Sequence, residues 1–185
     1  SFGADFLGTW NNSVFNSWQY GNFRQGNSRE RGTLVHIESR FSLTAANADE
    51  WLYNKPGSEG IIALAIASVI LDEGNGDSDA SSVLSSILTP SVRSSIIGSV
   101  EQKTGITLSK IKEIAHSLTN DKPSIIIGGG LAGAHTNGED NLIGIYLLNA
   151  LAGSVGVAGP ARPSADEARG VWPDNLVFFQ DHFAL

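Results

Sequence analysis

The run Thr33-Leu34-Val35-His36-Ile37, continued by Glu38-Ser39-Arg40 and closed by Pro56-Gly57-Ser58-Glu59, decides the fold. A compact, largely β-branched stretch that opens directly after Gly32 predicts a buried parallel strand. A polar loop is expected from Glu38 to Ser58, where Ser58 stands at an N-cap position and Glu59 suits the positive start of a helix. That helix runs from Glu59 to Glu73. Its apolar residues cover nearly the whole circumference, so it should be buried on most sides. The apolar run Ile61 to Leu71, interrupted only by Ser68, falls short of the ~20 residues of a membrane span.

Working downstream, the acidic stretch Asp72 to Asp79 ends the helix. It is no calcium loop, because the twelfth position from Asp72 is Val83 where a bidentate Glu is needed. Residues 80–100 suggest one or two short helices broken at Pro90. From Thr107 to Leu118, Ile111, Ile114, Ala115 and Leu118 repeat at helical spacing, which predicts an amphipathic surface helix. Pro123 to Ile127 reads as a second buried strand, Gly128-Gly129-Gly130 as a glycine loop, and Glu139 to Ala152 as an apolar helix. Strand, helices, strand, glycine loop, helix is α/β order, with a mostly parallel sheet, right-handed crossovers and helices on both faces. Upstream, residues 1–32 suggest a loop and a short irregular helix anchored by Trp10, Phe15, Trp18, Tyr20 and Phe23. Residues 1–158 are expected to form the domain, and 159–185 a linker and an aromatic extended C-terminal arm around Val171 to Phe179.

Composition narrows the function. Among 185 residues there is no cysteine and no methionine, and 12 basic against 19 acidic residues leave a formal charge of −7. Without Cys there is no disulfide framework, no thiolate zinc site and no cysteine-held iron–sulfur cluster. An acidic chain lacking a Lys/Arg cluster is a poor match for nucleic acid. With no Met even at position 1, the chain reads as a piece of something longer, cut at the end of a sheet strand. Charged residues are 17%, against about 25% in an average soluble domain, as expected if much of the surface faces other protein.

Candidate chemistry is sparse. Gly128-x-Gly130-x-x-Gly133 satisfies the dinucleotide fingerprint formally, but His135-Thr136-Asn137-Gly138 separates it from the helix and the acidic residue about 20 positions on is missing, so the nicotinamide reading fails. The glycines still permit close backbone approach, either to a ligand or to a neighbouring strand. His36, His116, His135 and His182 show no metal-ligand spacing, and no G-x-S-x-G elbow is present. The 38–59 loop sits where open α/β sheets bind nucleotides; alternatively Arg40, Asp49 and Glu50 form a surface ion-pair set.

That loop carries a resemblance. Acidic-x-Arg after a strand (Glu38, Arg40), then Ala48-Asp49, then Pro56-Gly57-Ser58-Glu59 opening a helix resembles the molybdopterin oxidoreductase family. So do Gly128-Gly129-Gly130, Thr136-Asn137-Gly138 and the segment Leu148 to Gly156; the likeness spans residues 1–159. Ser1 to Trp10, Ser42 to Trp51 and His135 to Gly138 are similar to one branch, the molybdopterin-like B subunits of alternative complex III, a quinol-oxidising respiratory assembly. The resemblance implies a Rossmann-like fold with no molybdenum cofactor in it, and iron–sulfur clusters held elsewhere in the parent chain. It also implies partners among the remaining domains and other subunits of a membrane-bound complex, at the periplasmic face of the cytoplasmic membrane.

In cofactor-binding members the same comparison would set the guanine dinucleotide of the pterin against Gly3, Asp5, Glu38, Arg40, Ser58, Glu59, Gly129, Gly130, His135, Thr136 and Asn137. Those members typically carry Gly-x-Asn-Pro at the first loop and Asp at both later acidic positions. Here the loop is Gly3-Ala4-Asp5-Phe6 and the acids are Glu38 and Glu59. Asp5 beside a diphosphate sets like charges together, a repulsion that grows as water is excluded. No catalytic residue and no metal ligand is expected in this segment.

Overall fold

The computed structural model describes residues 1–25 and 31–155; the expected C-terminal arm lies outside them. Strand β1, Val35–Ile37, pairs in parallel with β2, Glu50–Leu52, in the register Val35 with Glu50 and Ile37 with Leu52. On its other side β1 takes the Ser1–Gly3 segment: the Ile37 N–H donates to Ser1 O at 2.8 Å and the Gly3 N–H to Ile37 O at 2.9 Å. Phe2 in turn bridges in parallel to Gly128. Numbered along the chain, these four extended pieces lie side by side in the order 3-2-1-4. That is the order of one half of a doubly wound sheet, with its switch point between pieces 1 and 4. The fold is therefore α/β with a parallel sheet, as expected.

The loop predicted from Glu38 to Ser58 is not continuous. It contains the helix α2, Leu43–Asn47, and all of β2. Glu50-Trp51-Leu52 is too short to register as a strand in the sequence, and it is fixed non-locally by the Leu34 carbonyl, which accepts from the amides of Asp49 and Glu50. The expected strand at 123–127 is extended chain with a single bridge at Gly128. Upstream of β1, helix α1 runs Ser13–Gln25.

Between β2 and the 124–128 segment lies the crossover. Helix α3, Glu59–Glu73, forms with the bounds the sequence predicts and is buried along most of its length. It packs against α5, Pro90–Thr104, α6, Leu108–Asn120, and α7, Gly138–Leu151. Pro90 opens α5 rather than breaking a helix, because its missing N–H is harmless at the first turn; α4, Ser78–Ile87, precedes it. The core is centred on Ile62, Ile66 and Ile70 of α3, with Ile111, Ile145, Leu148 and Leu151 against them. Among the described residues no single helix is long and apolar enough to cross a membrane.

The sheet margin at residues 124–128 is closed by side chains. Asn149 of α7 accepts from the Ile126 N–H (2.9 Å) and donates to the Ile126 carbonyl (2.8 Å), as a neighbouring strand would. Tyr146 donates to Gly128 O and Ser154 to Ser124 O. Replacing Asn149→Leu leaves both Ile126 groups unpaired and is expected to lower stability by about 2–4 kcal/mol. Urea unfolding measures this, and an unchanged midpoint would show that the clamp is dispensable.

Candidate functional site at the C-terminal edge of the sheet

Because all four pieces are parallel, the segments leaving them emerge on one edge. That edge gathers Gly3 to Asp5, Glu38 to Arg40, Asn54 to Glu59, and Gly129 to Asn137, which together hold every residue the resemblance would set against the pterin nucleotide. The gathering follows from topology alone. What each residue does there differs.

Asp5 is 4% exposed. The Thr44 N–H and hydroxyl donate to its Oδ1 at 3.1 and 2.9 Å, and Thr44 Oγ1 accepts from the Leu7 N–H at 3.0 Å. Asp5 thus ties the first loop to the start of α2. Arg40, exposed at its guanidinium, lies 3.5 Å from Asp5 Oδ2 and 3.6 Å from Glu38 Oε1. The supposed set of Arg40, Asp49 and Glu50 does not exist: Asp49 binds Arg24, Arg31 and the Leu34 amide, and Glu50 binds Lys110 at 2.8 Å.

Glu38 and His36 are wholly buried and paired, Nε2 to Oε2, at 3.1 Å. Burial pushes the His36 imidazole down to about 4, with the Glu38 hydrogen bond opposing it. Its folded value lies below the ordinary 6.5, so as pH falls the unfolded chain takes up this proton first. The contribution of His36 to stability is therefore fully present above about pH 6.5 and is lost as pH falls from 6.5 to about 4, a loss on the order of 3 kcal/mol. A His36→Gln protein should lose this part of the slope in denaturant titrations; an identical slope would assign the decline to other groups.

Ser58 occupies the first position before α3 but makes no side-chain cap; its hydroxyl donates to Lys55 O at 2.6 Å. Asn54 Nδ2 donates to Ser58 Oγ and to Glu59 Oε1, at 3.2 and 2.9 Å. Three buried acceptor atoms here have no hydrogen-bond donor: Glu38 Oε1, Asn54 Oδ1 and Glu59 Oε2.

At the switch point the glycines serve backbone-to-backbone packing. Gly3 has φ +62°, and a Cβ on it would meet Ala132 N at 2.5 Å and Gly129 O at 2.9 Å. A Cβ on Gly130 would strike Gly3 O. The amides of Gly3, Gly129, Leu131 and Ala132 are all engaged by neighbouring carbonyls. His135, Thr136 and Asn137 are exposed; Asn137 donates to Gly57 O (2.9 Å) and to Asn141 Oδ1 (3.2 Å). Sequence reasoning missed Asn141. It is 2% exposed, accepts from the Gly60 N–H at 3.1 Å and donates to Ala132 O at 3.0 Å, joining α3, α7 and the glycine loop. A polar residue inside a helix apolar on all sides is the signal that could have found it, since it must be paired.

These residues do not fit a diphosphate at the switch point. The glycine-loop amides named above are engaged, a buried carboxylate stands beside the first loop, and the orphaned atoms seek donors where a phosphate offers acceptors. Among the described residues no three His, Asp or Glu side chains converge on a metal position. An open cleft of about 400 Å³, walled by Leu7, Tyr20, Arg24 and Leu43, lies between α1 and α2 and contains none of the residues nominated by sequence.

No family model matches the chain. It is 27% identical over 158 residues to the probable dimethyl sulfoxide reductase chain YnfF of Escherichia coli K12, covering 73% of this chain and 20% of that one. It is 26% identical over 166 residues to the menaquinone reductase molybdopterin-binding-like subunit of Nitratidesulfovibrio vulgaris Hildenborough, covering 88% and 23%. Over 74 residues it is 36% identical to the molybdopterin-containing subunit ArrA of the arsenate respiratory reductase of Shewanella sp. ANA-3, covering 40% and 8%. These relatives are members of the molybdopterin oxidoreductase family. The chain spans about a fifth of the length of the first two. Acetylene hydratase from Pelobacter acetylenicus shares the fold at a TM-score of 0.55 and 19% identity, over 66% of this chain and 17% of that one.

Proposed function

We propose that this chain is the α/β portion of a molybdopterin-oxidoreductase-like subunit of a respiratory electron-transfer complex, acting as scaffold without a molybdenum cofactor of its own. The observation that carries this is the switch point, where Gly3, Gly130 and Ala132 pack backbone against backbone and the buried carboxylate of Asp5 stands on the same loop as Gly3. The relative with the broadest coverage of the three compared, named molybdopterin-binding-like, supports the same reading. Redox groups then belong to other parts of the parent and its partner subunits, at the periplasmic face of the cytoplasmic membrane. The test is metal and pterin analysis of the full-length parent: stoichiometric molybdenum or tungsten with guanine nucleotide would sink the scaffold role.

A second reading has its own support. Glu59 Oε2 and Asn54 Oδ1 are unpaired acceptors at the start of α3, and a guanine edge carries the N–H donors they lack. On that basis the chain is the cofactor-binding part of a molybdenum or tungsten bis-pterin enzyme of the polysulfide, thiosulfate or arsenate reductase type. Calorimetry with guanine nucleotides on the parent protein separates the two, since only the second reading expects saturable binding.

A further inference from the structure

Three buried carboxylates meet at the C-terminal edge of the sheet, and one guanidinium answers them. Asp5 is 4% exposed, and Glu38 and Glu59 are fully buried. Arg40 serves the first two at 3.5 and 3.6 Å, distances of loose ion pairs rather than of good hydrogen bonds. Among the described residues no cation touches Glu59: its Oε1 accepts from Asn54 and its Oε2 from nothing. Lys55, the nearest cation in sequence, sends its Nζ away to Gln102 O at 2.7 Å. His36, paired to Glu38, is held far below its ordinary range by burial and adds no positive charge at neutral pH.

The unpaired atoms here are all of one kind. Glu38 Oε1, Glu59 Oε2 and Asn54 Oδ1 are acceptors, each shut off from solvent, and buried polar atoms without a partner are uncommon in folded proteins. The positive start of α3 offsets part of the Glu59 charge, yet none of its amides reaches Oε2. What the three atoms lack is an N–H donor that also carries positive charge. A guanidinium offers five such donors in a rigid plane and is more weakly hydrated than an ammonium, so it loses less on entering a buried site. Among the described residues no three acidic or histidine side chains converge to take a metal ion instead. Arg40, about half exposed at its side chain, brings the surface to within one side chain of Glu38.

The geometry points to a guanidinium site: the edge formed by Glu38, Asn54 and Glu59 receives an arginine side chain from another part of the parent polypeptide. This rests on the scaffold reading, under which no cofactor fills the edge. The chain spans about a fifth of the length of its relatives, so the larger part of such a parent is available to supply that arginine. Glu38 and Glu59 neutralise the incoming charge, Asn54 Oδ1 accepts a further N–H, and Arg40 stays with Asp5.

Nuclear magnetic resonance titration of the 185-residue protein with L-argininamide tests the site, read at the Asn54 side-chain amide and the Glu59 backbone amide. Saturable shifts are expected, with affinity at least tenfold weaker in Glu59→Gln. Citrullinamide, whose neutral ureido group keeps the shape and loses the charge, is expected to give none, and this comparison needs no variant to fold. Failure of argininamide to saturate, or equal binding of argininamide and citrullinamide, would overturn the proposal. In calorimetry the full-length parent, with its own arginine in place, is expected not to bind argininamide. Binding there as tight as in the 185-residue protein would overturn the assignment to a side chain of the parent. Guanine nucleotide in the purified parent sinks the scaffold reading separately, and is told apart because the argininamide titration is made on the 185-residue protein alone.

Discussion

A Gly3→Ala protein is expected to be less stable than the parent by about 2–5 kcal/mol. Two penalties combine. An L-residue at φ +62° costs about 1–2 kcal/mol. The new Cβ also lies 2.5 Å from Ala132 N and 2.9 Å from Gly129 O, and such overpacking costs about 1–3 kcal/mol because backbone, unlike a flexible side-chain tip, cannot swing away. The control is Gly98→Ala, where nothing lies within 4 Å of the new methyl; this exchange in the interior of α5 should be neutral or slightly stabilising. Thermal unfolding of both proteins checks the prediction, and a Gly3→Ala melting temperature equal to that of Gly98→Ala would refute it. If the loops at Gly3 and Gly130 were instead opened around a ligand, the same substitution would weaken binding more than stability.

The second large effect belongs to Asn141. An Asn141→Leu protein preserves much of the volume but strips partners from the Gly60 N–H and the Ala132 carbonyl, both in buried surroundings. Each orphaned group costs about 1–3 kcal/mol, so a total loss of about 2–6 kcal/mol is expected. Asn141→Asp separates the two halves of the amide, since it keeps the acceptor for Gly60 and loses the donor to Ala132. Its loss should be at least as large if the carboxylate stays charged, and should shrink as pH is lowered and protonation restores a donor. Asn137 provides the contrast. It is exposed, so its replacement by Ala should cost less than about 1 kcal/mol.

What the sequence revealed, and what it hid, follows from how local each signal is. Helix α3 is written into residues 59–73 by composition, and α6 by Ile111, Ile114, Ala115 and Leu118 at helical spacing, so both were legible. β2 was not, since three residues between an Asp and a Tyr carry no period and gain their conformation from Leu34 and Glu38 across the sheet. The edge where candidate site residues meet was foreseeable, because parallel order alone brings strand ends together. Their roles were not. Whether clustered glycines face a ligand or another backbone depends on a contact between Gly3 and Gly130, whose separation in the chain exceeds any motif. Asn141 and Asn149 look alike in sequence as polar residues on an apolar helix, and each turns out to complete backbone pairing that only the tertiary structure defines.

One consequence of the strand order concerns how the molecule assembles in time. Phe2 bridges to Gly128 only after the whole of β1, β2 and α3 to α6 has been laid between them. Helices α3, α5 and α6 meet over much shorter stretches and lie next to one another in sequence. Closing a long chain loop is entropically unfavourable and slows folding relative to local pairing. The helical layer is therefore expected to consolidate early and the junction of residues 1–3 with 127–132 to form late. During synthesis β1 supplies one neighbour of the Ser1–Gly3 segment early, but its other neighbour, at Gly128, emerges only after most of the domain, and until then Phe2 presents an unpaired side to every other chain nearby.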